Sequence, residues 1–150
     1  MPNIHIRVPE GVFDKAALAD IARGVTAAAK TAEQIPDDPR MEFLCWIAIE
    51  EVRAGHLFAG GADPTGRTVP IMVQYFVPAG VLDEGARAVA VKRVHDTLAQ
   101  ATAMRGPRVP ATSVMVIDVP DGHWAANGAL WSLRDFARAS GYRHLQHLVG

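Results

Sequence analysis

The residue of this chain with the most unusual chemistry is Pro2, which directly follows Met1 in the opening stretch MPNIHIRVPEG. Proline has no backbone N–H and a fixed φ, so it contributes little to a strand beyond being tolerated at the first residue. If Met1 is removed, as is usual before a small second residue, Pro2 becomes a free secondary amine at the chain terminus. No internal residue can supply such a group.

A free amine at Pro2 predicts proton-transfer chemistry. An ordinary α-amino group titrates near pH ~8, and an apolar, partly dry pocket lowers its pKa because the cation is disfavoured there. Near neutral pH the amine could then act as a general base. A protonated amine would instead be a general acid, and a secondary amine can also attack a carbonyl to form an iminium.

Other residues offer weaker chemistry. Cys45 lies in the apolar stretch FLCWIAI and is expected to be a buried, inert thiol. His144 and His147 have the one-turn spacing of two metal ligands. No acidic or cysteine partner accompanies them, so an exposed tail helix is expected there, and the sequence predicts neither a metal nor a cofactor.

The composition is that of an ordinary globular domain of 150 residues, with 49% hydrophobic residues, 21% charged residues and a net charge of −1. The balanced charge gives no electrostatic basis for binding nucleic acid or an anionic membrane. No apolar run approaches the length of a membrane span, and the N-terminus lacks the basic and apolar regions of a signal peptide. A cytoplasmic protein is therefore expected.

An internal repeat supplies the elements that must position Pro2. The stretch VPEGVFDKAALA, from Val8, and the stretch VPAGVLDEGARA, from Val77, match at seven of twelve positions with an offset of 69 residues. Further along, a Gly-His pair begins at Gly55 and recurs at Gly122. The repeat predicts a single domain made of two diverged units, about 2–61 and 69–128, with a C-terminal extension over 129–150.

Each unit has the pattern of strand, helix and strand. Ile4, Ile6 and Val8 alternate with polar residues, as in a half-buried strand, and Asp14 and Asp83 offer helix N-caps. The run FLCWIAIEE is apolar and bounded by loop signals, which predicts a central strand. The expected fold class is α+β, with two tandem β-α-β units forming a four-stranded sheet with both helices on one face. Other subunits are expected to cover the opposite face.

This pattern resembles the tautomerase superfamily, and within it the 4-oxalocrotonate tautomerase branch. The resemblance rests on Pro2, on the Glu-Gly turn at 10–11 and on the Gly-His hairpin at 55–56. It covers both units and is similar to the fused members, which hold two units in one chain and include macrophage migration inhibitory factor.

The resemblance implies an enzyme that assembles as a homotrimer and uses Pro2 as its catalytic residue. The second unit places Ile71 at the matching position, where the nitrogen belongs to a peptide bond, so one catalytic amine per chain is expected. Trp124, in the second hairpin, is the candidate that keeps the substrate pocket apolar, with core or interface packing as the alternative. Tyr75 and Asn127 are the next candidates for substrate binding, as donors to an enolate oxygen.

The chain departs from the family in the arginines that clamp substrate carboxylates in acid-binding members. The corresponding positions hold Val12, Trp46, Val81 and Ser113. The residues that specialise the cis-3-chloroacrylic acid dehalogenase and the malonate semialdehyde decarboxylase are missing as well. A smaller or more apolar keto–enol substrate is therefore expected, unless Arg7, Arg40 or Arg53 supplies a relocated clamp.

The resulting prediction is a cofactor-independent tautomerase or isomerase with Pro2 as general base for keto–enol proton transfer on a small carbonyl compound or 2-oxo acid. One alternative is a hydratase, dehalogenase or decarboxylase of the same superfamily, in which Pro2 is protonated. Another is a non-catalytic trimer that binds ligands or partners, and a third is a different two-unit α+β binding fold. The extension has amphipathic spacing broken at Gly141 and is expected to pack on a neighbouring subunit or to cap the pocket.

Overall fold

The structure is a computed structural model that describes all 150 residues. Its first half contains β1 (Asn3–Pro9), α1 (Lys15–Glu33), α2 (Pro39–Glu42) and β2 (Trp46–Val52). Its second half contains β3 (Thr68–Pro78), α3 (Glu84–Ala103), β4 (Val109–Val119), β5 (Trp124–Ala126) and β6 (Ala129–Trp131). The chain ends with α4 (Leu133–Ser140) and a 3-10 helix (Arg143–Leu148). No helix combines the length and the hydropathy that crossing a membrane requires.

The four long strands form one mixed sheet in the order β2-β1-β3-β4. Strand β1 is parallel to β2 and β3 is parallel to β4, whereas the central pair, β1 and β3, is antiparallel. Helices α1 and α3 make the crossovers that parallel strands need, and they pack against each other on one face of the sheet. The predicted fold class is therefore confirmed.

The prediction that FLCWIAIEE forms a central strand is wrong for the single chain, because β2 lies at an edge of the sheet. The strand begins only at Trp46, since the residues before it fold into α2 and a turn. Ile47 and Ile49 pack against the core, whereas Trp46 faces the opposite side and is 57% exposed. The apolar run thus forms a strand with one face packed against the core and the other face exposed. It is not buried on both faces of the sheet.

The core lies between the sheet and the two long helices. Alternate residues of the central strands point into it and are almost completely buried: Ile4, Ile6, Val8, Val69, Ile71, Val73, Tyr75 and Val77. Both predicted N-caps form: the Asp14 carboxylate accepts a hydrogen bond from the Ala17 N–H at 2.8 Å, and the Asp83 carboxylate accepts one from the Ala86 N–H at 2.7 Å. Local sequence signals therefore set where both crossovers begin.

The repeated Gly-His pair forms the same turn in both halves. Gly55 and Gly122 have φ values of 78° and 75°, which glycine adopts at no steric cost at the third position of a type II turn. The N–H groups of His56 and His123 each donate to the carbonyl oxygen three residues earlier, at 3.0 Å. The pair is thus explained by turn geometry.

The C-terminal extension folds onto the core of its own chain. Helix α4 begins with a capping box formed by Ser132 and Asp135 and ends at Gly141, which has a φ of 66°, so the predicted break is confirmed. Phe136 and Tyr142 are 2% and 0% exposed. The extension therefore buries these two aromatic side chains within its own chain, whereas Leu130 at its start is 70% exposed.

Candidate active site at the chain terminus

Several elements meet where β1 begins. Asn3, the first residue of β1, pairs with Trp46 at the start of β2 and with Phe76 near the end of β3. The Pro2 carbonyl oxygen accepts a hydrogen bond from the Trp46 N–H at 3.0 Å. Met1 and Pro2 are both buried, and Met1 is only 6% exposed. The chain terminus therefore lies inside the protein, at the end of the sheet where β3 and β4 finish.

The terminal nitrogen contacts a buried carboxylate. The ammonium group of Met1 donates to Glu33 Oε2 at 2.9 Å and also contacts the hydroxyl of Tyr142. The other carboxylate oxygen, Glu33 Oε1, accepts a hydrogen bond from the Tyr75 hydroxyl at 2.6 Å. These three side chains are at most 1% exposed. We call Glu33, Tyr75 and Tyr142, together with the chain terminus, the terminal cluster.

Glu33 occupies a position that the helix pattern assigns to an apolar residue. Ile21, Val25 and Ala29 precede it at four-residue intervals and form the buried stripe of α1. Burying a carboxylate is costly unless it is paired and hydrogen-bonded. The terminal ammonium and the Tyr75 hydroxyl supply those partners, so the members of the terminal cluster depend on one another.

Both tyrosines of the cluster are protonated at neutral pH; Tyr75 donates to Glu33, and Tyr142 accepts from the terminal ammonium. Desolvation, followed by the negative charge of Glu33, raises the pKa of Tyr75 well above its usual range. The same two causes raise the pKa of Tyr142. Each hydroxyl therefore keeps its proton and can donate it in a hydrogen bond to a carboxylate or to a developing oxyanion.

A groove of about 520 Å³ lies against the strand ends that hold Pro2. Its lining includes Asn3, His5, Phe43, Cys45 and Trp46. The Trp46 indole N–H donates to the Phe43 carbonyl oxygen at 3.0 Å, which fixes the indole as one wall. The Asn3 Oδ1 atom is buried and has no hydrogen-bond partner.

Cys45 is not a nucleophile at neutral pH. Burial raises the pKa of its thiol to about 11, and the thiolate is the reactive form. This raised pKa agrees with the expectation that Cys45 is unreactive. The side chain is, however, only half-buried, whereas the sequence predicts a buried one.

The raised pKa of Cys45 predicts a loss of stability at alkaline pH. The thiol pKa rises from 9.0 to about 11 on folding, so the native state binds more protons than the unfolded state within that window. The free energy of unfolding should then fall as the pH rises from 9.0 to about 11. We expect Cys45→Ala to reduce this decline in a series of urea denaturations across the window. If the free energies of unfolding of the wild type and Cys45→Ala differ by the same amount at every pH in the window, the decline does not come from the Cys45 thiol.

The structure connects one of the three predicted pocket residues to the chain terminus by hydrogen bonds. Tyr75 donates to Glu33, which in turn accepts from the terminal nitrogen. Trp124 is half-buried and packs against Phe136 with ring centroids 5.3 Å apart, and Phe136 belongs to the helix that leads to Tyr142. Trp124 is thus linked to the terminal cluster through packing, and its role toward a substrate stays a prediction.

Asn127 is exposed in the turn between β5 and β6. It has a φ of 49°, and Gly128, which follows, has a φ of 84°. Two consecutive residues of positive φ define the type I′ turn of a tight hairpin, for which Asn-Gly is the favoured sequence. Local turn geometry therefore explains this asparagine in the single chain, and its role as a donor to substrate stays a prediction.

The sequence did not single out Glu33 and Tyr142. A signal existed for Glu33, because a carboxylate stands at the helical spacing of a buried stripe. Tyr142 carried no such signal, because its position depends on how the extension docks. The docking is held partly by His144, whose Nε2 lies 2.8 Å from the Val81 carbonyl oxygen.

The arginines considered for a relocated clamp lie away from the terminal cluster. Arg7 pairs with Glu50 at 3.0 Å, and Arg40 pairs with Asp38 at 2.8 Å, both on the surface. Arg53 follows β2, which ends at the opposite end of the sheet from Pro2. The polar groups in contact with the chain terminus are therefore a carboxylate and a hydroxyl.

Comparison with solved structures identifies the architecture. An F6 fused 4-OT wild-type asymmetric trimer matches with a TM-score of 0.69 and 19% identity over 85% of this chain and 94% of that chain. A structure of Pt0534 inactivated by 2-oxo-3-pentynoate matches with a TM-score of 0.70 and 16% identity over 85% and 94%. N1, a member of the cis-3-chloroacrylic acid dehalogenase family, matches with a TM-score of 0.66 and 16% identity over 85% and 82%.

The sequence itself matches no family model and no curated protein. The likeness is therefore one of fold, and it extends over most of the chain in each comparison. The mixed sheet of two β-α-β units agrees with it. This chain has the two-unit fold of the fused 4-OT structures.

Proposed function

We propose that this protein is a cofactor-independent enzyme of the tautomerase superfamily that moves a proton on a small carbonyl compound with the amine of Pro2. The observation that supports the proposal is the buried chain terminus in contact with the carboxylate of Glu33. The reaction requires that Met1 be removed. The Pro2 nitrogen is one residue from the Met1 nitrogen, about 3–4 Å along the chain, and the Met1 nitrogen is 2.9 Å from Glu33 Oε2. The bared amine would therefore lie within about 7 Å of that carboxylate.

In the direction from ketone to enol, the neutral amine of Pro2 takes the proton from the carbon next to the carbonyl. Glu33 stabilises the ammonium cation that forms, because the two opposite charges are close together in a dry site. Tyr142 donates a hydrogen bond to the oxygen on which negative charge develops. Tyr75 holds the Glu33 carboxylate in position through its 2.6 Å hydrogen bond.

A second candidate function follows from the same carboxylate. An anion in contact with an amine favours its protonated form, so Glu33 favours Pro2 as a general acid. A protonated Pro2 would deliver its proton to a carbon–carbon double bond, as a hydratase or dehalogenase step requires. The reverse reaction, from enol to ketone, also starts from this protonated form.

Covalent labelling tests whether Pro2 is a reactive amine. The protein is first shown by intact mass to lack Met1, and it is then treated with 2-oxo-3-pentynoate or with its uncharged analogue pent-3-yn-2-one. A nucleophilic amine adds to the alkyne carbon, and a proton goes to the neighbouring carbon. An adduct of either probe on the N-terminal peptide is the expected result. A Pro2→Leu variant, which should retain Met1 before its bulky second residue, is the matched control. It lacks the secondary amine of proline and has the primary amine of Met1 at its terminus.

Replacing Pro2 by alanine is expected to lower the rate of keto–enol proton transfer on pentan-2-one, followed by deuterium exchange, by at least about 100-fold. The primary amine that remains differs from proline in basicity and in its fixed position. Equal rates in the two proteins, both shown to lack Met1, would contradict the catalytic role. A protein that neither forms the adduct nor catalyses this proton transfer would instead be a non-catalytic binder.

We further propose that three copies of the chain assemble, as in the fused 4-OT trimer. The sheet face opposite the helices exposes large apolar side chains, including Trp46, Met72 and Met115, which are 57%, 40% and 50% exposed. We expect Met115→Asp to convert a trimer to monomers in analytical ultracentrifugation. Val89→Asp is the control, because Val89 is 41% exposed on α3 in the helix layer. Monomeric wild-type protein at micromolar concentration would contradict the proposed assembly.

A further inference from the structure

Met1 occupies a closed site that is polar at one end. Its nitrogen is held by Glu33 and Tyr142, and the residue as a whole is 6% exposed and belongs to the hydrophobic core. The occupant is therefore a small amphipathic group, with one polar head and an unbranched apolar arm. Removal of Met1 leaves a space of that shape beside the bared Pro2 nitrogen.

The polar end of this space has no free positive charge. Even when the Pro2 amine is protonated, its charge and that of the Glu33 carboxylate sum to zero. The other side chains of the terminal cluster are the hydroxyls of Tyr75 and Tyr142. A substrate carboxylate placed there would be buried next to Glu33 without a cationic partner, which is strongly unfavourable. A neutral carbonyl oxygen needs only one donor, and the Tyr142 hydroxyl supplies it once the Met1 ammonium has left.

We propose that the space vacated by Met1 is the binding site for the substrate, and that it selects uncharged aliphatic ketones or aldehydes over 2-oxo acids. The selection rests on the proposed function, since it supposes that Met1 is removed and that Pro2 faces the substrate. Glu33 is then a specificity-determining residue as well as the partner of the amine. Tyr142, from the C-terminal extension, is the donor that positions the carbonyl oxygen.

A matched pair of ligands tests the selection without turnover. Pentan-2-one and 2-oxopentanoate share the same carbonyl and propyl arm and differ in a methyl group against a carboxylate. We titrate each into the Met1-free protein and follow backbone amide signals by NMR. The expected result is binding of pentan-2-one at least about tenfold tighter than binding of 2-oxopentanoate, with shifts at residues 2, 33 and 142. Equal or tighter binding of 2-oxopentanoate, or no shift at these residues with either ligand, overturns the proposal.

Two variants separate selection by charge from selection by shape. Glu33→Gln removes the charge and is expected to bring the two affinities within about threefold of each other. Tyr75→Phe keeps the charge of Glu33 and is expected to retain the preference for the uncharged ligand. If Glu33→Gln does not fold, the wild-type ligand pair still decides the proposal. Pro2→Leu, with Met1 retained in the site, is expected to bind neither ligand.

The outcomes distinguish this inference from the proposed function. Preference for pentan-2-one without any Pro2-dependent labelling or turnover overturns the proposed function and leaves a binding site of the stated selectivity. Pro2-dependent turnover together with tighter binding of 2-oxopentanoate overturns the inference and leaves the proposed function intact.

Discussion

Exchanging Glu33 for leucine is expected to lower the free energy of unfolding by about 3–5 kcal/mol, which is the usual cost of breaking a buried ion pair. Glu33 is 0% exposed and accepts hydrogen bonds from the terminal ammonium and from Tyr75. Leucine would leave the Tyr75 hydroxyl without its acceptor and the ammonium without its carboxylate partner, and it cannot replace either contact. Most of the lost free energy of unfolding therefore comes from the buried polar groups that no longer have Glu33 as a partner, and less from the removal of the carboxylate itself.

Urea denaturation monitored by fluorescence measures this loss, and an unchanged m-value would show that the compactness of both states is preserved. Tyr75→Phe, which removes one neutral donor from the same carboxylate, is expected to cost only about 1–3 kcal/mol. Glu84→Leu is the control for the substitution itself, since Glu84 is exposed in the first turn of α3. We expect that variant to lose at most about 1 kcal/mol. A similar loss in Glu33→Leu and Glu84→Leu would contradict the buried terminal cluster.

Truncating Phe136 to alanine is the second large effect that we expect, with a loss of about 3–5 kcal/mol in the free energy of unfolding. The ring is 2% exposed and packs between Trp124 and Trp131, at centroid distances of 5.3 Å and 5.2 Å. These contacts join the β5–β6 hairpin to α4. The cavity left by alanine would weaken the packing of the hairpin and of α4. It would also weaken the packing of the segment after α4, which places Tyr142 beside the chain terminus.

Hydrogen exchange tests the structural part of this prediction. In Phe136→Ala, we expect amides of residues 133–148 to lose protection before those of the four-stranded sheet, because the extension docks through few elements. Phe43→Ala is the matched control, as Phe43 is 73% exposed and its truncation should change stability by no more than about 0.5 kcal/mol. If the amides of the extension keep their protection from hydrogen exchange in Phe136→Ala, the Phe136 ring does not hold the extension on the core.

Much of the fold was readable from the sequence because it rests on local signals. Alternation at Ile4, Ile6 and Val8 predicted β1, and Asp14 and Asp83 marked the helix starts where the structure has them. The repeat predicted two β-α-β units because the same short-range signals occur twice. The parallel pairing of the two strands within each unit followed from the crossover rule. The alternation and the helix caps depend on residues within a few positions of one another.

The site depended more on contacts between distant residues. The residue type of Pro2 was enough to predict a reactive amine. The residues around it, in contrast, come from α1, β3 and the C-terminal extension, which are distant in the sequence and close only in the fold. Tyr142 is 141 positions from Met1 along the chain and contacts its nitrogen, and no local signal encodes such a pairing. The edge position of β2 was misjudged for the same reason, since an apolar run gives no sign of which of its faces is covered.

The sequence by itself thus determined the elements, their repeat and the residue that stands at the start of β1. Only the tertiary structure decided that this start is buried, that a carboxylate faces it and that no arginine does. The physical reason is that helix caps, turns and alternation are short-range. The electrostatic surroundings of an amine, in contrast, are the sum of whatever groups the fold brings within a few ångströms.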